Sequence, residues 1–272
     1  MPMTSREVVQ RAVRFENPDR LPYTLPPEYG SDFAGTGMSP SPDARPKRGS
    51  DEWGCVWENI GISNLGEVKQ PILTDWSQWD TLHIPDIKDP RRWTHLPRAR
   101  AEAGDKFLLA QGISLYERVH FLRGLQDTWV DIHTAPEELG RLIDVLADMN
   151  LYAIEQYARA GADGYLWYDD WGLQDRLMIA PESWREIWKP RYARVYRAAR
   201  EAGLLTFLHS CGDITAILDD LIEIGLDVIQ MDQQENMGLE RLGAEFGGRI
   251  TFWCPVDIQA TMAHGSLDDI RA

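Results

Sequence analysis

What most limits the folds open to this chain is a unit that repeats from about residue 105 onward: a helical segment, a glycine, and a short apolar run ending in polar residues. The apolar runs are FLLAQGI at 107–113, GYLWYDD at 164–170, LLTFLHSCG at 204–212, DVIQMD at 227–232 and RITFWCPVD at 249–257. Between them, APEELGRLIDVLADMNLYAIEQYARAGA and APESWREIWKPRYARVYRAAREAG space apolar residues three and four apart, the pattern of a helix packed along one face. Gly161, Gly203 and Gly225 follow the helices where a left-handed residue closes them. A helix between successive strands lets those strands run parallel, so the pattern predicts an α/β fold with a parallel sheet. Ligands of such folds sit beyond the carboxyl ends of the strands, which makes the polar run ends the candidate site.

The length of 272 residues suits one barrel or two small domains; no linker is visible, and a single domain over 1–272 is expected. Residues 30 to 52, rich in Gly, Pro, Ser and Asp, and 85 to 98, with three prolines among charges, read as surface loops. The N-terminal MPMTSREVVQRAVRF is charged where a secretory signal needs an apolar stretch, and reads as an amphipathic helix begun by Thr4 or Ser5. No run approaches the roughly 18 apolar residues of a membrane span, so a cytoplasmic protein with no membrane partner is expected. Three cysteines, Cys55, Cys211 and Cys254, are too few and scattered for a disulfide framework, which leaves burial, metal binding or catalysis open. A net charge of −15 without a basic stripe argues against nucleic acid as a partner.

The run ends carry Asp169 and Asp170, then His209 and Cys211 followed by Asp213, then Asp232, then Cys254 and Asp257. In a parallel sheet these groups face one cavity, where they can support acid/base chemistry or bind a divalent metal. One of the two aspartates can equally serve as a helix cap. His209 and Cys211 alternate across one residue, so at strand geometry they share a face within reach of a single ion. Three protein ligands and one open position characterise a catalytic zinc site; Cys254, ending a later strand, offers a third ligand, while the competing reading makes Cys211 a small turn residue and Cys254 a semi-buried thiol. Glu117 and Arg118 follow the 107–113 run with Arg123 close behind, placed either to bind a carboxylate substrate or to pair internally. His120 and His133 read as structural or surface residues, and His83, His95 and His264 as solvated. Trp171, Trp184 and Trp188 read as core or pocket wall.

The order Tyr168-Asp169-Asp170-Trp171-Gly172-Leu173-Gln174, Ile179-Ala180-Pro181-Glu182-Ser183-Trp184, Leu208-His209-Ser210-Cys211-Gly212-Asp213 and Val256-Asp257-Ile258-Gln259 resembles the uroporphyrinogen-decarboxylase superfamily. The opening, Ser5-Arg6-Glu7 through Phe15-Glu16-Asn17-Pro18-Asp19-Arg20-Leu21-Pro22, is similar to the start of its members. The resemblance implies a (β/α)8 TIM barrel and one of two chemistries. These are cofactor-free decarboxylation of a porphyrinogen's acetate arms, and zinc-assisted methyl transfer from a methyl-corrinoid protein to a thiol such as coenzyme M. True decarboxylases hold the substrate's carboxylates with an arginine-rich segment ending Arg-Tyr-Leu-Pro-Glu-Tyr. Here the stretch reads Leu21-Pro22-Tyr23-Thr24-Leu25-Pro26-Pro27-Glu28-Tyr29, without arginines.

The methyltransferase branch is the nearer resemblance, since its zinc motif is His-x-Cys followed by a distant Cys. It implies zinc on His209 and Cys211, which match the first two positions; the branch's third ligand lies on the last barrel strand, well beyond residue 254, so either Cys254 substitutes for it or that ligand belongs to the missing end. Catalytic or orienting roles are expected of Asp169, Asp170 and Glu117, and substrate contacts of Arg118, Arg123, Gln174, Asp213, Asp232, Asp257 and Gln259. The corrinoid is expected on a partner protein, a homo-oligomer is left open, and the ending Ser266–Ala272, which starts a capped helix, suggests a barrel lacking its C-terminal strand and helices. The alternatives are a decarboxylase of uroporphyrinogen or another polycarboxylate, active without metal, and a non-catalytic barrel subunit.

Overall fold

The computed structural model describes residues 2–26, 28–45, 49–59, 61 and 66–271; Pro27 of the N-terminal motif and residues 46–48 of the expected loop lie outside the described residues. The strands are β1 (Phe33–Gly37), β2 (Val56–Asn59), β3 (Gly66–Gln70), β4 (Phe107–Gln111), β5 (Gly164–Tyr168), β6 (Leu205–His209), β7 (Val228–Gln230) and β8 (Thr251–Trp253). The α-helices are α1 (Ser5–Val13), α2 (Leu96–Ala103), α3 (Tyr116–Arg123), α4 (Leu125–Thr134), α5 (Pro136–Arg159), α6 (Pro181–Ile187), α7 (Lys189–Glu201), α8 (Thr215–Glu223), α9 (Leu239–Phe246), α10 (Thr261–His264) and α11 (Leu267–Arg271). β1, β4, β5, β6, β7 and β8 form one parallel sheet in that order, and β2 and β3 form a separate antiparallel hairpin.

Period-two alternation divides the parallel strands between two cores. One parity faces the helical layer: Ala110, Tyr165, Trp167, Leu208 and Ile229 pack with residues of α3, α5 and α7. The other parity, Phe33, Phe107, Leu109, Leu166, Phe207, Val228 and Trp253, forms an inner core, whose far end is covered by Val9 and Val13 of α1. Phe33 on the first strand of the sheet stacks on Trp253 of the last, ring centroids 4.8 Å apart. The sheet therefore curls around the inner core as in a (β/α) barrel. Among the described residues it has six strands, against eight in the closed form, and β1 and β8 do not pair.

Two stretches read as loops carry structure. β1 lies inside 30–52, and 85–98 contains a 3-10 turn at Pro90–Trp93 and the start of α2, with Arg92 and Trp93 buried. Arg92 is satisfied by the Glu52 carboxylate at 2.6 Å and by the carbonyls of Ser39 and Asp86. His95, expected to be solvated, instead bonds Ser39 Oγ through Nδ1 (3.1 Å) and the Gly37 carbonyl through Nε2 (2.9 Å), fixing the end of β1. The N-terminal helix runs from Ser5 to Val13, with Thr4 accepting the Glu7 N–H. No helix among the described residues is long and apolar enough to cross a membrane.

Candidate metal centre and active site

His209 is the last residue of β6, at the inner-facing parity of Leu205 and Phe207, so its ring stands at the mouth of the inner core. β5 and β6 pair with Tyr168 opposite His209, and β6 and β7 pair with His209 opposite Gln230. The chain leaving β5 is laced to the chain leaving β6. The Asp169 N–H donates to the His209 carbonyl, the Trp171 N–H to Ser210 Oγ, the Gly172 N–H to the Cys211 carbonyl, and the Asp213 N–H to the Leu173 carbonyl. This lacing sets Asp170 beside His209 and Cys211. The Cys211 N–H donates to Asp170 Oδ1 at 2.8 Å, and His209 Nε2 lies 3.4 Å from both Asp170 Oδ1 and Cys211 Sγ.

One ligand atom each from Asp170, His209 and Cys211 falls within 4.8 Å of the others, close enough to hold a metal ion together. The electrostatics agree. Burial opposes ionisation of Asp170, but His209 and the Cys211 N–H more than offset it and hold the carboxyl below its usual range. Burial likewise opposes charge on His209, yet the Asp170 carboxylate and the Cys211 thiol raise its pKa to about 11. The Asp170 carboxylate and Cys211 sulfur that favour a proton on His209 would favour a cation in its place.

Cys254 lies outside this cluster. It follows β8, and β7 separates β8 from β6, so strands about 4.8 Å apart put its anchor about 10 Å from that of His209. Its thiol is raised to about 11 by burial and by Asp232. The fold brings Asp170 rather than Cys254 beside His209 and Cys211, because β5, unlike β8, is the direct neighbour of β6.

Asp169 points the other way. Its fully buried carboxylate accepts the N–H groups of Leu115 (3.1 Å), Tyr116 (2.8 Å) and Glu117 (2.9 Å) and the hydroxyl of Tyr192, which in turn accepts the Trp171 Nε1–H at 3.0 Å. It caps α3, the helix that follows the neighbouring strand β4, and thereby holds Glu117 beside the site. Trp171, Trp184 and Trp188 are buried around this cap, with Trp171 stacked on Tyr116 at 3.7 Å.

Glu117 is half-buried, and its carboxyl is raised to about 7 by burial and then by the charges of Asp169 and Asp170. An unfolded chain ionises the group near pH 4.3. The folded protein keeps a proton that the unfolded chain has released, so stability is lost as pH rises from about 4.3 through 7. Glu117→Gln is expected to remove that loss. Urea unfolding of the metal-free variant should show a gain of up to about 4 kcal/mol over the parent at pH 8, at about 1.4 kcal/mol per pKa unit, and none at pH 4. Equal stabilities at pH 8 would remove the argument.

The remaining candidates divide between two sites of work. Arg118 bonds Asp51 at 2.7 Å and lies over Trp53 and Phe121, tying the loop before β2 to α3. Arg123 is buried, paired with Asp131 at 2.7 Å and bonded to the carbonyls of Leu73 and Thr74. Asp213 accepts the Thr215 N–H at the start of α8, Asp257 is buried and accepts the N–H groups of Gln259 and Ala260 ahead of α10, and Gln174 accepts from Asn236 on the exterior. Gln259 is exposed. Only Asp232 joins the site: it accepts Gln230 Nε2–H at 2.6 Å, and Gln230 Oε1 meets His209 Nδ1.

Gln230 and Tyr168, whose ring lies 5.4 Å from that of His209, were not among the expected site residues. Both are terminal inner-parity strand residues, and that parity was the signal available for finding them.

The profile of the uroporphyrinogen decarboxylase (URO-D) family matches residues 120–272. The fold is similar to that of a methyltransferase from Methanosarcina mazei, with a TM-score of 0.65, covering 92% of this chain and 82% of that one at 18% sequence identity. No curated protein sequence matches the chain. The family match takes in more than half of the chain and every strand end from β5 to β8, including Asp170, His209 and Cys211. The chain belongs to the uroporphyrinogen decarboxylase family.

Proposed function

We propose that this protein is a zinc-dependent methyltransferase that moves a methyl group from a methyl-corrinoid protein to a small thiol. The observation that carries this reading is the convergence of Asp170, His209 and Cys211 at the mouth of the inner core. A carboxylate, an imidazole and a thiolate are a donor set that zinc accepts, and three protein ligands leave a fourth position for substrate. Zinc held there supplies a Lewis acid that lowers the pKa of a thiol.

The chain's own residues do the rest. Glu117, ionising near neutrality, takes the proton that the thiol gives up. Asp169 fixes the first turn of α3 and with it the position of Glu117. The transfer balances without a redox partner: the thiolate sulfur forms a bond to the methyl carbon as the cobalt–carbon bond breaks, and that bond's electron pair stays with the cobalt of the corrinoid. The corrinoid arrives on a separate protein that docks at the strand-end mouth. Porphyrinogen decarboxylation is less well served, because it needs cations to grip carboxylates and Arg118 and Arg123 are bonded to Asp51 and Asp131.

The test is turnover of methylcobalamin with 2-mercaptoethanesulfonate by the zinc-loaded protein, followed through the corrinoid spectrum and the thioether formed. Turnover that disappears on chelation and returns with zinc is the expected result. A protein that binds no zinc, or that releases carbon dioxide from uroporphyrinogen when metal-free, would overturn the reading.

A further inference from the structure

A chain of polar contacts runs along the ends of β6 and β7, from Asp232 through Gln230 to His209. The Asp232 carboxylate can only accept, so the bond from Gln230 Nε2 to Asp232 Oδ1 (2.6 Å) fixes which way the amide faces. The amide oxygen is then the atom against His209 Nδ1, and it too can only accept. Nδ1 must carry a hydrogen, so the nitrogen that can give up its proton to an ion is Nε2, which faces Cys211 Sγ and Asp170 Oδ1, each at 3.4 Å. The arrangement follows from the strands: Gln230 sits opposite His209 in the β6–β7 pairing, and Asp232 follows two residues later.

We propose that Gln230 is a positioning residue, its amide oriented by Asp232, that holds His209 in the Nδ1–H tautomer and aims the Nε2 lone pair at the ion site. This rests on the reading of Asp170, His209 and Cys211 as metal ligands. Partners of this kind on the distal nitrogen of a ligating histidine typically change metal affinity about 10- to 100-fold. An amide suits the place better than a second carboxylate, which would face Asp232 across one residue.

The experiment is titration of the metal-free full chain with Co²⁺, read by the thiolate-to-cobalt absorption and by competition with Zn²⁺. Gln230→Ala is expected to weaken both ions about 10- to 100-fold while the thiolate band survives. Asp232→Ala should weaken them in the same direction, and the two changes together should add little to Gln230→Ala alone, because both act through one contact. The swapped pair Gln230→Glu with Asp232→Asn again puts an acceptor against Nδ1 and a donor behind it. It is expected to bind within a few-fold of the parent, which separates positioning from general damage to the strand ends. Nitrogen-15 spectra of the zinc-loaded parent should show the His209 hydrogen on Nδ1. Unchanged affinity in Gln230→Ala, or a swapped pair as weak as Gln230→Ala, would overturn the positioning role alone. A parent that binds neither ion would overturn the metal site and the role together.

Discussion

Alanine at position 212 is expected to lower the unfolding free energy by about 2–5 kcal/mol, the sum of a left-handed backbone penalty and an overpacking penalty. Gly212 has φ +76°, and a Cβ there would lie 2.3 Å from the carbonyl carbon and oxygen of Gly172. The contact is reciprocal: a Cβ on Gly172 would lie 2.4 Å from the backbone of Gly212 and Asp213. Gly172 lacks the positive φ, so Gly172→Ala should cost less, about 1–3 kcal/mol. Backbone atoms cannot swing aside as a flexible side chain can, so the loops after β5 and β6 must separate. Asp170 and Cys211 are carried on those two loops, and the loss of stability should come with a loss of metal binding. Denaturant midpoints, compared at unchanged slope, measure the first effect, and zinc competition measures the second. An alanine variant within about 0.5 kcal/mol of the parent would mean that the loops are not locked together.

The same region shows why the fold was largely legible in the chain and the site only partly so. β4 to β8 were readable because each pairs an apolar run with a helix whose spacing can be recognised, and each helix ends at a glycine. β1 was hidden because FAGTG has two glycines in five residues and no apolar alternation; what makes it a strand is the register from Phe33↔Phe107 to Gly37↔Gln111 with β4. The strand-end rule pointed to His209, Cys211 and Asp170, which the fold brings together. It could not tell which of two adjacent aspartates enters the site, because that depends on the period-two facing of the strand and on the distant α3 amides that capture Asp169. Nor could it weigh Arg118 and Arg123, whose partners Asp51 and Asp131 are brought to them by tertiary packing. Cys254 looked like a ligand by residue type, and strand order is what sets it apart.

The proposed ligand set, with Asp170 in and Cys254 out, has the sharpest expected consequence. Structural zinc sites bind with about 10–16 kcal/mol spread over four ligands, or roughly 3–4 kcal/mol each, so losing one ligand should cost on the order of 10²–10³ in affinity. Cys211→Ser should lose that much and abolish the thiolate-to-cobalt band, since the other two residues of the cluster contribute no sulfur. Asp170→Asn keeps an acceptor for the Cys211 N–H but removes the charge, and should bind about 10- to 100-fold more weakly with the band intact. Cys254→Ser should bind zinc within about two-fold of the parent, less than 0.5 kcal/mol. If Cys254→Ser instead removes half of the thiolate intensity and weakens zinc as much as Cys211→Ser, the ion is held across β6, β7 and β8 rather than across β5 and β6. Asp170 would then be left to hydrogen-bond His209 and the Cys211 N–H, and metal binding would have to draw the end of β8 about 5 Å toward β6, one strand spacing.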